Sequence, residues 1–459
     1  MTARDFWKEA PVRRTVFISI ILFLLASCGP SPPDRDAQAT KIAAEVLATL
    51  TASAPTATQP PPSPTPAPPI CDDPLGCVRV PAGTEVVIGA ALALEGLRLG
   101  VEELRGLEMA VEDWGPFKGY PLSFVQEDAG CNPDGGERAA MNLVAQGGLL
   151  GVVGTTCSAS AIPAAEILSA AGLVMISPSH TAPSLTDPDQ REAGYFRVAP
   201  NDLWQAHLAA RFAAEELKAR NLATVADSSP NANALTDAAC DLFQGLGGAC
   251  VVQESIETGT SDMSEVLGRI APYEPDVLFF SLFPAEGIPF IEQVVRFPGL
   301  ENTHLVSTDG LLDPYLSDLT DGAADGMYLC APSAGNREFA LRYAARYGQE
   351  PTTPFAAYAY DAATLLLNAA DRVAFEHEDV LYIPLQGLRE ALYRTTNYPG
   401  VSGMLTCTPH GDCGDRNVWR IAVITPERIR AVYPKGDSSP LSTRPLGKMP
   451  QPSAPTDTP

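Results

Sequence analysis

The sequence predicts an α/β protein of two doubly wound lobes, each built on a parallel sheet, and three observations lead there. Short apolar runs of strand length alternate with segments of helical period through residues 84–434, the pattern of repeated β-α units with right-handed crossovers. The chain has 459 residues with a hydrophobic fraction of 45%, enough to bury two cores. Within residues 154–181, two apolar runs each end in a loop of small hydroxyl residues. A parallel sheet sets such loops side by side at the C-terminal ends of its strands.

Each element follows from its local pattern. Strands are expected at 86–88 and 122–125, flanking a helix that carries Leu104, Leu107, Ala110 and Val111 at helical spacing. Helix 136–146, strand 149–153, helix 159–171 and strand 173–176 continue the alternation. A second series begins near Asn201: helix 203–219, strand 222–226, helix 232–246, strand 249–253, helix 261–271, strand 276–281, helix 285–297 and strand 303–307. Strand 326–331 and helices 336–347, 358–374 and 383–395 follow, and a strand pair at 402–407 and 417–424 closes the body.

The ends read differently. Arg13 and Arg14 precede an apolar run over 15–26, too short to span a bilayer comfortably. The run ends in Leu25-Ala26-Ser27-Cys28, which resembles a bacterial lipobox and implies cleavage before Cys28 and diacylation of its thiol. An uncleaved anchor, or an ordinary signal with a chance cysteine, is the competing explanation; in all three cases the protein works outside the cytoplasm. Residues 1–27 are thus a lipoprotein signal peptide, 28–83 a lipidated Pro/Thr/Ala-rich tether, and 436–459 a disordered tail.

Charge and chemistry narrow the function. The formal net charge is −24, and removing residues 1–27, with four basic and two acidic residues, carries it to −26. That acidity argues against nucleic acid or an anionic membrane surface as partner, leaving membrane contact to the lipid alone. The five histidines pair with no recognised serine nucleophile elbow, and no P-loop is present. The chain is therefore expected to be neither an enzyme nor the holder of a cofactor. Cys407, His410 and Cys413 have metal-ligand residue types but lack a fourth partner, so a disulfide-closed hairpin is the reading adopted. Ten cysteines in an exported chain point to disulfides, and proximity pairs Cys71 with Cys77, Cys240 with Cys250, and Cys407 with Cys413. Setting Cys28 aside leaves nine, so at least one stays unpaired.

The loops supply the candidate site. The hydroxyls of Ser158 and Thr181, with the free amides of the intervening helix's N-terminus, can converge on one small anion. Ordinary helix-capping and turn roles compete with that reading. Read as a pair, the loops resemble those of the leucine/isoleucine/valine-type extracytoplasmic amino-acid-binding proteins, in which they grip the ligand's α-carboxylate. The resemblance covers roughly 84–434 and implies a type I periplasmic-binding fold whose two lobes are joined by three hinge crossovers. It places lobe 1 at 84–199 and 331–398 and lobe 2 at 200–330 and 399–435. It implies ligand contacts from Ser158 and Thr181 to the carboxylate, from the Ser179 carbonyl to the α-ammonium, and from Asp309 to the same ammonium. It also implies a Cys131–Cys157 bridge, leaving Cys330 as a buried, inert thiol.

The chain departs from the family where the ligand side chain is met. Asn231 and Leu99 stand at frequent tyrosine positions, Phe283 lies near an often aromatic one, and His180 is a candidate to line the cleft, with a supporting place behind the ligand contacts as the competing and favoured reading. The expected function is a lipid-anchored solute-binding protein that delivers an amino acid or related polar molecule to an ABC permease. A sensory module of the same fold is the alternative.

Overall fold

The computed structural model describes residues 70–95, 97–333, 335–434 and 440–442. The signal segment, Cys28, the tether up to residue 69 and residues 443–459 lie outside them.

The chain enters with β1 (Cys77–Pro81) and then builds a first sheet from β2 (Val86–Leu92), β3 (Leu122–Asp128), β4 (Leu149–Gly154), β5 (Met175–Ser177) and β6 (Tyr195–Arg197). The order is β3-β2-β4-β5-β6, and every pairing is parallel. The crossovers are α1 (Arg98–Trp114), α2 (Pro133–Gln146) and α3 (Ser158–Ala170). Strand β4 reads LLGVVG and is buried along its whole length, as a central parallel strand covered on both faces requires.

A second sheet begins after α4 (Asp202–Glu215). It takes in β7 (Asn221–Asp227), α5 (Pro230–Gly245), β8 (Ala249–Ile256), α6 (Ser264–Ile270), β9 (Val277–Ser281), α7 (Pro284–Val294), β10 (His304–Ser307) and β11 (Tyr328–Pro332). The chain then returns to the first side with α8 (Arg337–Tyr347), α9 (Phe355–Val373), the hairpin β12 (Phe375–His377) and β13 (Val380–Pro384), α10 (Leu385–Tyr393), and the short pair β14 (Tyr398–Pro399) and β15 (Met404–Leu405). It ends on the second side with β16 (Trp419–Ile424), β17 (Ile429–Tyr433) and β18 (Pro440–Ser442), completing an eight-stranded sheet of order β18-β17-β16-β11-β10-β9-β7-β8. The strands β8 to β11 pair in parallel, and the last three are antiparallel additions. One core gathers Ile88, Val152, Val153 and Ile176 under Leu365 and Leu366 of α9; others gather Leu278, Phe280, Phe290 and Leu329, or Phe243, Val277 and Phe279, around the second sheet. The result is α/β with two separately cored, mostly parallel sheets, and the chain passes between them three times.

Four expectations are corrected. The tether does not run to residue 83: Cys71–Cys77 is closed, and β1 pairs antiparallel with β13, burying Val78 and Val80 in alternation. Strands 402–407 and 417–424 do not pair with each other; β15 pairs with β14, while β16 pairs with β11. Residues 399–415 do not lie with the second sheet, because Leu405, Cys407 and Cys413 belong to the first core. Residues 440–442 of the tail form a strand against β17, for which backbone hydrogen bonds suffice without an apolar pattern.

Candidate ligand-binding site

Strands β4 and β5 are parallel neighbours, with Val152 opposite Met175 and Val153 opposite Ile176. The loops that follow them therefore share one sheet edge, and they are stitched together by hydrogen bonds. The Ser177 hydroxyl donates to the Thr155 carbonyl at 3.2 Å and the Ser179 hydroxyl to the Thr156 carbonyl at 2.7 Å. The Cys131–Cys157 disulfide joins the loop after β3 to the start of α3. Gly154 has φ +143°, and a Cβ there would lie 2.1 Å from the Ala91 carbonyl oxygen, so only glycine lets this turn pass β2. Ser158 opens α3, and its helix has no side-chain cap from Cys157. Among the described residues nothing bonds to its hydroxyl, which stays available beside the helix's positive end.

The second side reaches this edge through α4. The Asp202 amide donates to the Thr181 carbonyl at 2.9 Å. One helical turn later, Gln205 Nε2 donates both to Asp309 Oδ1 at 2.8 Å and to the Cys330 carbonyl at 2.7 Å. Asp309 opens a short 3₁₀ turn (Asp309–Leu311) after β10. Two carboxyl groups thus share one poorly hydrated place. Burial, and then the Asp309 charge, push the Asp202 carboxyl up to about 7; burial pushes Asp309 up to about 6. Burial likewise raises the Cys330 thiol well above its ordinary range, keeping it protonated. Asp202 Oδ1 and Gln205 Oε1 are buried without a hydrogen-bond partner among the described residues. An acid and an amide with acceptor atoms to spare, beside a second acid, make a place for a cation or a multiple hydrogen-bond donor.

A third acid supports the loops from behind. Glu103 on α1 is fully buried, with Thr156 donating to Oε2 at 2.5 Å while the Ala93 amide donates to the same threonine hydroxyl at 2.9 Å. Burial pushes Glu103 up to about 8, so it is a neutral acid at physiological pH.

The structure sorts the expected residues. Thr181 and Asp309 belong to one polar cluster, linked through Asp202 and Gln205. Ser158 and Ser179 lie on the adjoining loops. His180 is corrected: it is fully buried, Nε2 is 2.8 Å from the Thr155 hydroxyl and Nδ1 is 3.1 Å from the Tyr195 hydroxyl. No ring nitrogen is left for a ligand, and burial with the Arg197 charge depresses the imidazole to about 3, holding it neutral. Phe283 precedes α7 with 57% of its surface exposed. Leu99 is partly buried against the first core. Asn231 lies in the first turn of α5, and its side chain is outside the described set. Cys240–Cys250 and Cys407–Cys413 are closed, and Cys330 is free and buried.

Sequence reasoning missed Glu103, Asp202 and Gln205. Asp202 sits directly after the cap residue Asn201, where an acid is common for dipole reasons alone. The signal available was the i, i+3 spacing of Asp202 and Gln205, which puts both on one face at the helix mouth.

Comparison with known proteins agrees with this fold. The family model described as "Periplasmic binding protein" matches residues 85–420. An amino acid binding protein of Pseudomonas aeruginosa is 30% identical over 243 residues, 52% of this chain and 64% of that protein; this chain thus spans a little under two thirds of that relative's length. A leucine-specific-binding protein of Salmonella typhimurium is 28% identical over 298 residues, 63% of this chain and 79% of that one. Among solved structures, a branched-chain amino acid transporter substrate-binding protein from Streptococcus pneumoniae, in complex with isoleucine, superposes with TM-score 0.66. It is 22% identical and covers 76% of this chain and 98% of its own.

Proposed function

As the chain belongs to the periplasmic binding protein family, we propose that it captures an amino acid, or a closely related small polar molecule, in a cleft between two lobes and delivers it to an ABC importer. The lobes are the first sheet with α8 to α10, and the second sheet. The ligand's carboxylate docks on the Ser158 and Thr181 hydroxyls and the N-terminus of α3, where a helix end favours negative charge. The Ser179 carbonyl and Asp309 accept from the ammonium, and Asp202 is added to them as the second acid. The residue types at Leu99, Asn231 and Phe283 set the class of ligand side chain. Cys28 carries the lipid that holds the protein at the membrane.

The observation that carries this reading is the Thr181–Asp202–Gln205–Asp309 cluster, which joins donors on one side to uncompensated acids on the other. A zwitterion needs both ends within one water-excluding place. Ligand that touches both sides stabilises the closed arrangement and shifts the population toward it.

A thermal-shift screen over the common L-amino acids tests it, since a ligand of the folded state raises stability as RT ln(1 + [L]/Kd). Asp309→Ala is expected to weaken the best binder by roughly 1.5–3 kcal/mol, the range for a hydrogen bond to a charged group. Absence of any stabilising amino acid, or unchanged affinity in Asp309→Ala measured by calorimetry, would refute the assignment.

A further inference from the structure

We infer that the buried Arg197 and the half-buried Asp412 form a clamp that positions Thr181 for the ligand, with the Cys407–Cys413 loop holding the clamp shut. Arg197 ends the edge strand β6 opposite Ser177 and is wholly buried. Its guanidinium spends its donors on the loop that carries Thr181. Nη1 donates to the Ala182 carbonyl at 2.6 Å and to the His180 carbonyl at 3.4 Å, and Nη2 donates to the Thr186 hydroxyl at 2.6 Å. The carbonyls on both sides of Thr181 are therefore fixed by one planar group, which a lysine ammonium cannot imitate.

On the other side Nε meets the Asp412 carboxylate, the ion pair that balances the buried charge. Asp412 is brought there by the loop closed at Cys407 and Cys413. That loop is seated on β6 by backbone hydrogen bonds: Arg197 N donates to the Gly411 carbonyl at 3.0 Å, and Cys413 N donates to the Arg197 carbonyl at 2.9 Å. The fit is close enough that a Cβ on Gly411 would lie 2.4 Å from the Tyr195 carbonyl oxygen. Thr408 braces the turn from inside, its amide donating to the Asp412 carbonyl at 2.7 Å. Loss of Asp412 leaves the guanidinium buried and uncompensated, so it must turn toward water and release His180 and Ala182. Neither residue touches ligand; both act through Thr181.

The inference rests on Thr181 meeting the ligand as proposed, and its test separates the two. Hydrogen exchange of the unliganded, full-length protein comes first. Asp412→Asn is expected to speed exchange of amides in 178–186 by about tenfold while leaving the body of α3 unchanged. Equal exchange in wild type and variant overturns the clamp, whatever the ligand is. The second measurement is a double-mutant cycle on L-leucine affinity. Asp412→Asn is expected to raise Kd by about tenfold with Thr181 present and by less than about twofold in a Thr181→Ala background, although it lowers the unfolding midpoint equally in both. The same fold-change in both backgrounds overturns it, because a merely structural defect would not depend on Thr181. If Asp412→Asn fails to fold, Cys407→Ser with Cys413→Ser carries the same two measurements, since it opens the loop and keeps every charge. L-leucine failing to bind the wild type, or Thr181→Ala binding it unchanged, counts against the site reading and leaves the exchange result to decide the clamp.

Discussion

At the scale of single residues, the site is governed by acids held away from water. Asp202 and Asp309 have carboxyls raised to about 7 and about 6, so both are largely protonated in mild acid. An ammonium pairs with the ionised forms, and its binding must expel protons below these values. Affinity for an amino acid is therefore expected to rise between about pH 5 and about pH 8 and then level off, with a slope of up to about tenfold per pH unit for each proton released. Calorimetry in buffers of different ionisation heat measures that release; affinity flat across the window would exclude the pair from ammonium binding. Glu103 titrates in the same direction for a different reason, since burial raises it and the Thr156 hydroxyl donates to it. Its folded value, about 8, lies above its ordinary 4.5, so the native state holds a proton that the unfolded chain gives up. Its contribution to stability is intact below about pH 4.5 and declines as pH rises through about 8, at about 1.4 kcal/mol per unit while the full proton difference lasts. Glu103→Gln should flatten the fall in unfolding midpoint over that window, and parallel curves would show that Glu103 is not the group responsible. The hydroxyls and Asp309 were legible in the sequence because each follows a buried strand. Glu103 and Asp202 were not, because an acid near a helix start ordinarily reads as solvated or dipole-stabilising.

At the scale of elements, the repeated β-α units were legible and the antiparallel additions were not. Continuous apolar runs such as β4 and β9 announce strands covered on both faces. By contrast, β1 and the β12–β13 hairpin are three to five residues long and owe their place to backbone pairing and a disulfide. Asp73 shows how the entry segment is tied down: Oδ1 accepts from the Leu75 amide at 2.9 Å and the Gln386 amide at 3.0 Å, and Oδ2 accepts from the Gly387 amide at 3.0 Å. It caps α10 from more than three hundred residues away in sequence, a job that local capping rules look for only in the preceding residue, here Pro384. Asp73→Ala should cost about 1 kcal/mol in urea unfolding, within the usual 0.5–2 kcal/mol of a lost cap. A cost near zero would mean that the disulfide alone secures the segment.

At the scale of the whole molecule, proposed closure depends on contacts that exist only when the two sides meet. Thr181 with Asp202 forms one such contact near the chain crossings, and Arg98 with Tyr315 forms another. The Arg98 guanidinium, at the start of α1 on the first side, lies 5.7 Å from the centroid of the ring of Tyr315, a buried residue on the second. Such a contact at a wet edge is worth about 0.5–1 kcal/mol. That energy enters the closed state and not the open one, so it biases the equilibrium in proportion to the difference. Arg98→Ala is accordingly expected to raise the ligand Kd by about two- to fivefold, mainly through faster dissociation, while leaving the unfolding midpoint without ligand nearly unchanged. Stopped-flow dissociation and small-angle scattering, with and without ligand, measure the two halves of that statement. Unchanged dissociation would exclude the Arg98–Tyr315 contact from closure, and wild-type scattering profiles that are equal without ligand and at saturation would mean that the two sides do not separate.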